Sequence, residues 1–261
     1  MGTKDTVLAL FERNRGFYVS GEKIASELNI TRTAVWKAVK ILQHEGYDIK
    51  AVTNRGYCLD KGADVLSIRG IRGFLGEDMA GLRPEVFVSV DSTNNVCREK
   101  AGLGESEGYV AIAGAQTAGR GRRGRSFFSP AETGIYMSVL LKPETMSEDM
   151  LAKISEAALE AARSSIEELS GRQASVRGDN DIMIDGKKVG GVMYEMWPEE
   201  SDRDPEYVIA GTGINAYEPE NGFPPEIAAQ AGSVFSKQEV GLKNHLTAEL
   251  LRRFMTAYKE L

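Results

Sequence analysis

The residues of this 261-residue chain that are best suited to chemistry fall in three short stretches. The first reads Gly119-Arg120-Gly121-Arg122-Arg123-Gly124-Arg125, four arginines and three glycines in seven residues. Such a string cannot pack a core. Guanidinium groups pair phosphate bidentately, and glycines between them suit a lid over a polyphosphate. The string formally matches G-x-G-x-x-G. That fingerprint must open a helix, however, and here Ser126-Phe127-Phe128-Ser129-Pro130 and then a strand follow. A flexible RGG-type nucleic-acid loop is the competing reading. The loop is short and lies between two buried strands, a setting in which loops usually carry sites.

The second stretch runs from Asn180-Asp181 through an Asp185-Gly186 turn to Lys187-Lys188-Val189-Gly190-Gly191-Val192. It reads as a hairpin. Lys187 and Lys188 point to opposite faces of a strand, so one faces in. Gly190 and Gly191 allow close ligand approach. A solvated hairpin with a lysine pair is the plainer alternative. The third stretch, Gly211-Thr212-Gly213-Ile214-Asn215, is glycine-rich at a strand end. None of the three has metal-ligand spacing. The two histidines, His44 and His245, both fall on expected helices, so neither a His-based triad nor a zinc site is expected, and no metal ligands are assigned.

These stretches need a scaffold. Residues 84–90 and 109–115 alternate or run apolar like strands, as do 134–141, 187–196 and 207–214. Asp91-Ser92-Thr93-Asn94 opens a helix to about residue 101. An Ala-rich helix is expected over 149–169 and an amphipathic one over 242–261. Helices alternate with strands, but hairpins dominate. The expected class is therefore α+β, with a mixed, largely antiparallel sheet and flanking helices.

Ahead of this lies a small helical head, residues 1–65. Val7, Leu8, Leu10 and Phe11 form one apolar face of a first helix. Ser20 can cap a second helix, whose expected buried stripe is Ile24, Ala25 and Leu28. After an Asn29-Ile30 turn, Thr31 caps a third, with Ala34, Val35, Ala38, Val39, Ile41 and Leu42 apolar. Two helices joined by so short a turn form a helix-turn-helix. The third helix presents Arg32, Thr33, Trp36, Lys37 and Lys40, which could reach base edges and phosphates. Two short strands around Asn54-Arg55-Gly56 make a wing, with Arg55 at its tip. The head thus reads as a winged helix-turn-helix, with Ser20, Thr31, Arg32, Thr33, Ala34, Trp36, Lys37, Lys40 and Arg55 as candidate DNA-binding residues. A helical protein-interaction domain with a solvated basic face is the alternative.

Composition agrees with a globular chain: 42% hydrophobic and 27% charged, with no apolar run long enough for a membrane span. The net charge of −6 divides into +2 for residues 1–65 and −8 for the rest, which makes the head the better place to look for nucleic acid. Cys58 and Cys97 lie far apart, as free thiols of a reducing cytoplasm do, and the N-terminus has no signal-peptide pattern. The expected localisation is cytoplasmic.

Asp91-Ser92-Thr93-Asn94, Gln116, the 119–125 loop, Asn180-Asp181, Lys188 to Val192 and Gly213-Ile214-Asn215, with the winged head before them, together resemble the bifunctional biotin protein ligases of the biotin-operon-repressor type. The resemblance covers nearly the whole chain and divides it into a DNA-binding domain over 1–65 and a biotin/lipoate ligase-like catalytic domain over 66–261. It implies ATP-dependent activation of biotin to biotinyl-5′-AMP, then transfer to a lysine of the biotin carboxyl carrier domain of acetyl-CoA carboxylase. Lys188, Arg120 and Arg122 are implied as catalytic. Ser92, Thr93, Asn94, Gln116, Gly119, Arg120, Gly121, Arg122, Lys188, Gly190 and Gly191 are implied to bind biotin. Arg122, Arg123, Gly124, Arg125, Asn180, Asp181, Lys188 and Asn215 are implied to bind nucleotide, with Mg²⁺ accompanying ATP. The adenylate is also implied to act as corepressor, promoting a homodimer on operator DNA.

The chain departs from the family pattern in places. Where the family usually reads Lys-Trp-Pro/Val before Asn-Asp, this chain has Arg177-Gly178-Asp179. A buried Trp lost from a packed site typically costs about 3–5 kcal/mol, and Asp179 adds negative charge where ATP should bind. The family's small C-terminal β-barrel is expected to be missing. A biotin-sensing transcriptional regulator with weak or lost ligase activity, and a lipoate-type ligase, are the alternatives.

Overall fold

In the computed structural model, which describes residues 2–62, 64–197 and 206–261, Ser20, Thr31, Ser67, Ser92 and Ser147 each cap a helix that starts at the next residue. The chain divides into two compact units, residues 1–65 with 238–240, and residues 66–237 with 241–261.

In the first unit, α1 (Thr3–Arg13), α2 (Gly21–Leu28) and α3 (Arg32–His44) precede a hairpin of β1 (Ile49–Val52) and β2 (Gly56–Leu59). The Ser20 hydroxyl accepts from the Lys23 N–H at 3.1 Å, and the Thr31 hydroxyl accepts from the Ala34 N–H at 3.1 Å, so each caps its helix. Asn29 ends α2 in the left-handed region (φ 52°), a conformation asparagine tolerates, and so turns the chain into α3. Leu10, Phe11, Ile24, Val35, Val39 and Leu42 fill the core. Ile41 is not part of it. It is 48% exposed, because the buried face follows positions 35, 38, 39 and 42 and position 41 falls outside that stripe. Leu28 is only half-buried.

The second unit contains α4 (Ile68–Phe74), β3 (Arg83–Phe87), α5 (Thr93–Gly102), β4 (Tyr109–Ala113), β5 (Gly134–Leu141), α6 (Glu148–Ser170), β6 (Ser175–Arg177), β7 (Asp181–Ile184), β8 (Lys187–Trp197), β9 (Tyr207–Asn215), α7 (Pro225–Ala228) and α8 (Leu242–Tyr258). One seven-stranded sheet runs in the order β3-β4-β5-β9-β8-β7-β6. Only β3 and β4 pair in parallel; every other neighbouring pair is antiparallel.

Alternation sorts the sheet's two faces. Val110, Ile112, Val139, Leu141, Val208 and Ala210 join the large core under α6 and α8. Tyr109, Ala111, Leu140 and Ile209 pack with Cys97 and Ala101 of α5 on the opposite face. That second face holds the site described next. Among the described residues, no helix is long and apolar enough to cross a membrane.

Candidate functional site

Three strands and one helix start build the floor of a cavity of about 210 Å³. Register places Ser138 of β5 opposite Gly211 of β9, and Gly211 opposite Met193 of β8. Asn94, in the first turn of α5, sits over Gly211. A Cβ at Gly211 would lie 2.5 Å from Asn94 Oδ1, so only glycine leaves room for the amide. Gly213 does the same for the Phe127 ring, which would lie 2.7 Å from a Cβ there. The Gly-Thr-Gly stretch therefore admits two protein side chains onto the sheet, a purpose its sequence alone did not reveal.

A chain of hydrogen bonds follows. Ser92 caps α5, accepting from the Asn94 N–H at 3.3 Å. Gln116 Oε1 accepts from the Thr93 N–H at 2.9 Å, and Gln116 Nε2 donates to Ser129 Oγ at 3.0 Å. Ser129 donates onward to the Phe127 carbonyl at 2.8 Å. Ser138 Oγ, fully buried, lies 2.7 Å from Thr93 Oγ1 and 2.6 Å from Asn94 Oδ1. This builds a fixed polar surface for a hydrogen-bonding ligand.

Lys188 brings the charge. Its Nζ lies 2.6 Å from Asp181 Oδ1 and 5.7 Å from the Phe127 ring centroid. A bulge between Ile182 and Met183 sets the register that pairs Lys188 with Met183, and Lys187 points out to solvent. Asp181 also pairs with Arg177 Nη2 at 3.1 Å. Burial alone would push the Asp181 carboxyl up, but the hydrogen bonds from Lys188 and Arg177 outweigh it and hold the group below the ordinary aspartate value.

The glycine–arginine loop is closed at its base. Arg120 bridges Ser126, and the Gly121 N–H donates to the Arg125 carbonyl at 2.7 Å around a 3₁₀ turn at Arg122–Gly124. Arg120, Gly121, Arg122 and Arg125 line the cavity. Arg122 forms an ion pair with Asp179, and that carboxylate raises the affinity of the guanidinium for its proton. The Arg123 side chain lies outside the described residues.

Ser92, Thr93, Asn94, Gln116, Arg120, Gly121, Arg122, Arg125, Asn180, Asp181, Lys188 and Gly191 come together around the one cavity. Four expected residues do not. Asn215 is buried and its amide donates to the Gly232 carbonyl at 3.0 Å, which ties β9 to the following loop. Gly190 abuts the Gly213 carbonyl, 2.8 Å from where its Cβ would be. Gly119 packs against the Phe127 carbonyl, and Gly124 serves as a turn residue at φ 72°. Phe127, Ser129, Ser138, Met193 and Glu195 were not legible as site residues. A lone carboxylate on the strand β8 was the one available signal, since a charge there needs a partner.

Gly178 corrects a further expectation. It occupies the turn between β6 and β7 at φ 66°, and a Cβ there would meet nothing within 4 Å. The position is an exposed left-handed turn, so there is no packed pocket wall here from which a Trp has been lost.

On the head, Arg32, Thr33, Trp36, Lys37 and Lys40 are exposed along α3, Trp36 by 50%. Ser20 and Thr31 spend their hydroxyls as caps, and Ala34 is half-buried. The Arg55 guanidinium stacks 4.2 Å over the Tyr18 ring.

The chain matches two known families. The HTH domain family matches residues 3–58, and the biotin/lipoate A/B protein ligase family matches residues 86–215. The chain is similar to the bifunctional ligase/repressor BirA of Bacillus subtilis (strain 168), 36% identical over 233 residues, covering 87% of this chain and 69% of that protein. It is 28% identical to the BirA of Escherichia coli (strain K12) over 200 residues, 77% of this chain and 60% of that protein. The solved biotin protein ligase of Aquifex aeolicus in complex with biotin and ATP superposes with a TM-score of 0.56 at 26% identity, over 68% of this chain and 71% of the other.

Proposed function

The chain belongs to the biotin protein ligase family, in its bifunctional ligase/repressor branch, and from that premise we propose how its residues divide the work. The protein is an ATP-dependent biotin–[acetyl-CoA-carboxylase] ligase with a DNA-binding head. In the first half-reaction the biotin carboxylate attacks the α-phosphorus of ATP. The bond to the leaving oxygen breaks, giving biotinyl-5′-AMP and pyrophosphate. In the second, the ε-amine of a carrier-domain lysine attacks the acyl carbon, forms the amide, and releases AMP and a proton.

An anion must approach an anion in the first step, so positive charge fixed in advance lowers the barrier. Lys188 takes that role, touching both the biotin carboxylate and the α-phosphate. Asp181 orients its ammonium. Arg120, Arg122 and Arg125 close over the phosphates. Thr93 and Gln116 hydrogen-bond the ureido ring, and Phe127 packs against the ligand. Ser92 and Asn94 shape this surface from behind. Among the described residues no three Asp, Glu, His or Cys side chains gather as a metal site, and Mg²⁺ suits this site as a companion of the triphosphate.

The observation that carries the reading is the Lys188 ammonium, paired at 2.6 Å with Asp181 in a cavity that also holds Thr93, Gln116 and three arginines. Biotin-dependent release of pyrophosphate from ATP tests the first step, and transfer of labelled biotin to a carrier domain tests the second. Release without transfer would favour a sensing regulator, a reading supported by Asp179 beside the phosphate site. Calorimetry with biotin against lipoate decides the ligand class.

The repressor function resides in the head. We assign base and phosphate contacts to Arg32, Thr33, Trp36, Lys37, Lys40 and Arg55. The adenylate orders the 119–125 loop and, as corepressor, drives homodimerisation on operator DNA. Sedimentation with and without biotin plus ATP measures that step.

A further inference from the structure

Both main-chain polar groups of Lys188 are taken by a segment that follows β9. The Lys188 N–H donates to the Gln230 carbonyl at 2.6 Å, and the Gly232 N–H donates to the Lys188 carbonyl at 2.9 Å. Lys188 and Ala231 thereby form a parallel bridge outside the strands themselves. The reason lies in strand length. The terminal register pair of β8 with β9 is Gly190 with Ile214, and β9 ends one residue later at Asn215. Beyond that point residues 230–232 take the place of β9 beside β8. The approach is close. A Cβ on Gly232 would lie 2.9 Å from the Lys187 Cβ, so glycine sets the distance between the segment and the strand.

Asn215 holds that segment. Its Nδ2 donates to the Gly232 carbonyl at 3.0 Å, and its own carbonyl accepts from the Val234 N–H at 2.9 Å. Gly232 is thus bonded through its N–H to Lys188 and through its carbonyl to Asn215. Arg172 adds a second tie. Its Nη1 donates to the Ser233 and Val234 carbonyls, each at 3.0 Å, and its Nη2 pairs at 2.7 Å with Asp185, in the turn that leads into β8. The Asp185 side chain is 80% exposed, so that ion pair is worth little. The Asn215 amide is buried, and its hydrogen bond is the firmer hold.

We propose that Asn215 is a positioning residue for the catalytic lysine: through Gly232 it fixes the main chain from which Lys188 reaches the ligand. The proposal rests on the assignment of Lys188 to the biotin carboxylate and the α-phosphate. A lysine ammonium is a point charge on a flexible four-carbon stem. Asp181 steadies the Nζ at 2.6 Å and the bridged segment steadies the backbone, so the charge stands in place before the phosphate arrives. Without the Asn215 amide, the Gly232 carbonyl loses that partner, the segment moves off β8, and the Nζ spends less time where the two anions meet. Asn215 then acts on the reaction without touching the nucleotide.

A double-mutant cycle tests it. Calorimetry without ATP gives the biotin affinity, and pyrophosphate release gives kcat and KM. Lys188→Ala should weaken biotin binding by roughly 10- to 100-fold, the loss of a charge-assisted hydrogen bond. Asn215→Ala should weaken it by roughly 3- to 10-fold and lower kcat by a similar factor, with KM for ATP within about twofold. Gly232→Ala, which pushes the segment from β8 by another route, should do the same. Asn215→Ala combined with Lys188→Ala should bind biotin no worse than Lys188→Ala alone, because losses that act through one group do not add. Melting curves establish that each protein is folded at the assay temperature, and Gly232→Ala with Lys188→Ala completes a second cycle that does not depend on Asn215→Ala folding. Additive losses in the combined variants overturn the proposal. So do wild-type kcat and biotin affinity in Asn215→Ala and Gly232→Ala. A rise in KM for ATP as the sole effect of Asn215→Ala also overturns it, and returns Asn215 to the nucleotide. If Lys188→Ala itself binds biotin and releases pyrophosphate like wild type, the assignment of Lys188 falls and takes the proposal with it.

Discussion

Asp179 and Arg122, both lining the cavity, form an ion pair that joins the β6–β7 turn to the glycine–arginine loop. The guanidinium assigned to phosphate thus already has a carboxylate partner. ATP must displace Asp179 or share Arg122 with it. Asp179 is 74% exposed, so the pair is worth little to stability, about 0.2–1 kcal/mol for exposed pairs. Asp179→Asn should lower KM for ATP by roughly 1.4- to 5-fold, the same energy expressed as binding, and more so at low salt. Pyrophosphate release at varied ATP measures it. A KM that stays put or rises would show that Asp179 does not compete for the arginine.

Gly178 should resist side chains. At φ 66° an L-residue meets left-handed strain of about 1–2 kcal/mol. With nothing within 4 Å of the added Cβ, no burial offsets it. Gly178→Ala and Gly178→Trp should both lower the melting temperature by a few degrees, and Gly178→Asn by less, since asparagine tolerates this region. Differential scanning calorimetry orders the three. A Gly178→Trp protein more stable than wild type would mean that the ring finds a wall.

Lys188→Ala should abolish adenylate formation and leave the fold intact, read as pyrophosphate release and a melting curve. Its pH dependence carries a sign. The Asp181 carboxyl is held below its ordinary value, so the stability this gives is present above the unfolded pKa of about 3.9 and lost as pH falls through the lower folded value. Lys188→Ala removes the hydrogen bond from Lys188. The difference in melting temperature between wild type and variant should therefore be full near neutrality and shrink below about pH 4. A difference that grows on acidification contradicts the pairing.

On the head, Lys37→Ala should weaken operator binding and reduce the slope of log affinity against log salt by about 1, the loss of a single phosphate contact. Trp36→Ala should weaken operator binding without changing that slope. Fluorescence anisotropy at several salt concentrations separates the two. Equal slopes for Lys37→Ala and wild type would remove Lys37 from the phosphate-contacting set.

The sequence by itself determined the local features. Ser20 and Thr31 announced their helices because a cap is a contact three residues long, and the Asp185-Gly186 turn announced its hairpin for the same reason. The 119–125 loop and Lys188 stood out because charge and glycine in such density have no place in a core. Family resemblance added the reaction. Tertiary structure alone decided the rest. Gly211 and Gly213 read only as a glycine-rich strand end, and it is the fold that shows them making room for Asn94 and Phe127, which lie 117 and 86 positions earlier in the chain. Asn215 looked like a nucleotide contact, yet its amide is turned to Gly232. Gly178 looked like a lost Trp, yet its backbone requires a left-handed turn. Glu195 gave little sign at all, because its partners Asn94, Arg98 and Arg120 come from a helix and a loop that only the order of strands β5, β9 and β8 brings beside it. Pattern along a chain reports forces that act over a few residues. The polarity of a buried hydrogen-bond network depends on which side chains meet across the sheet, and that is settled by packing.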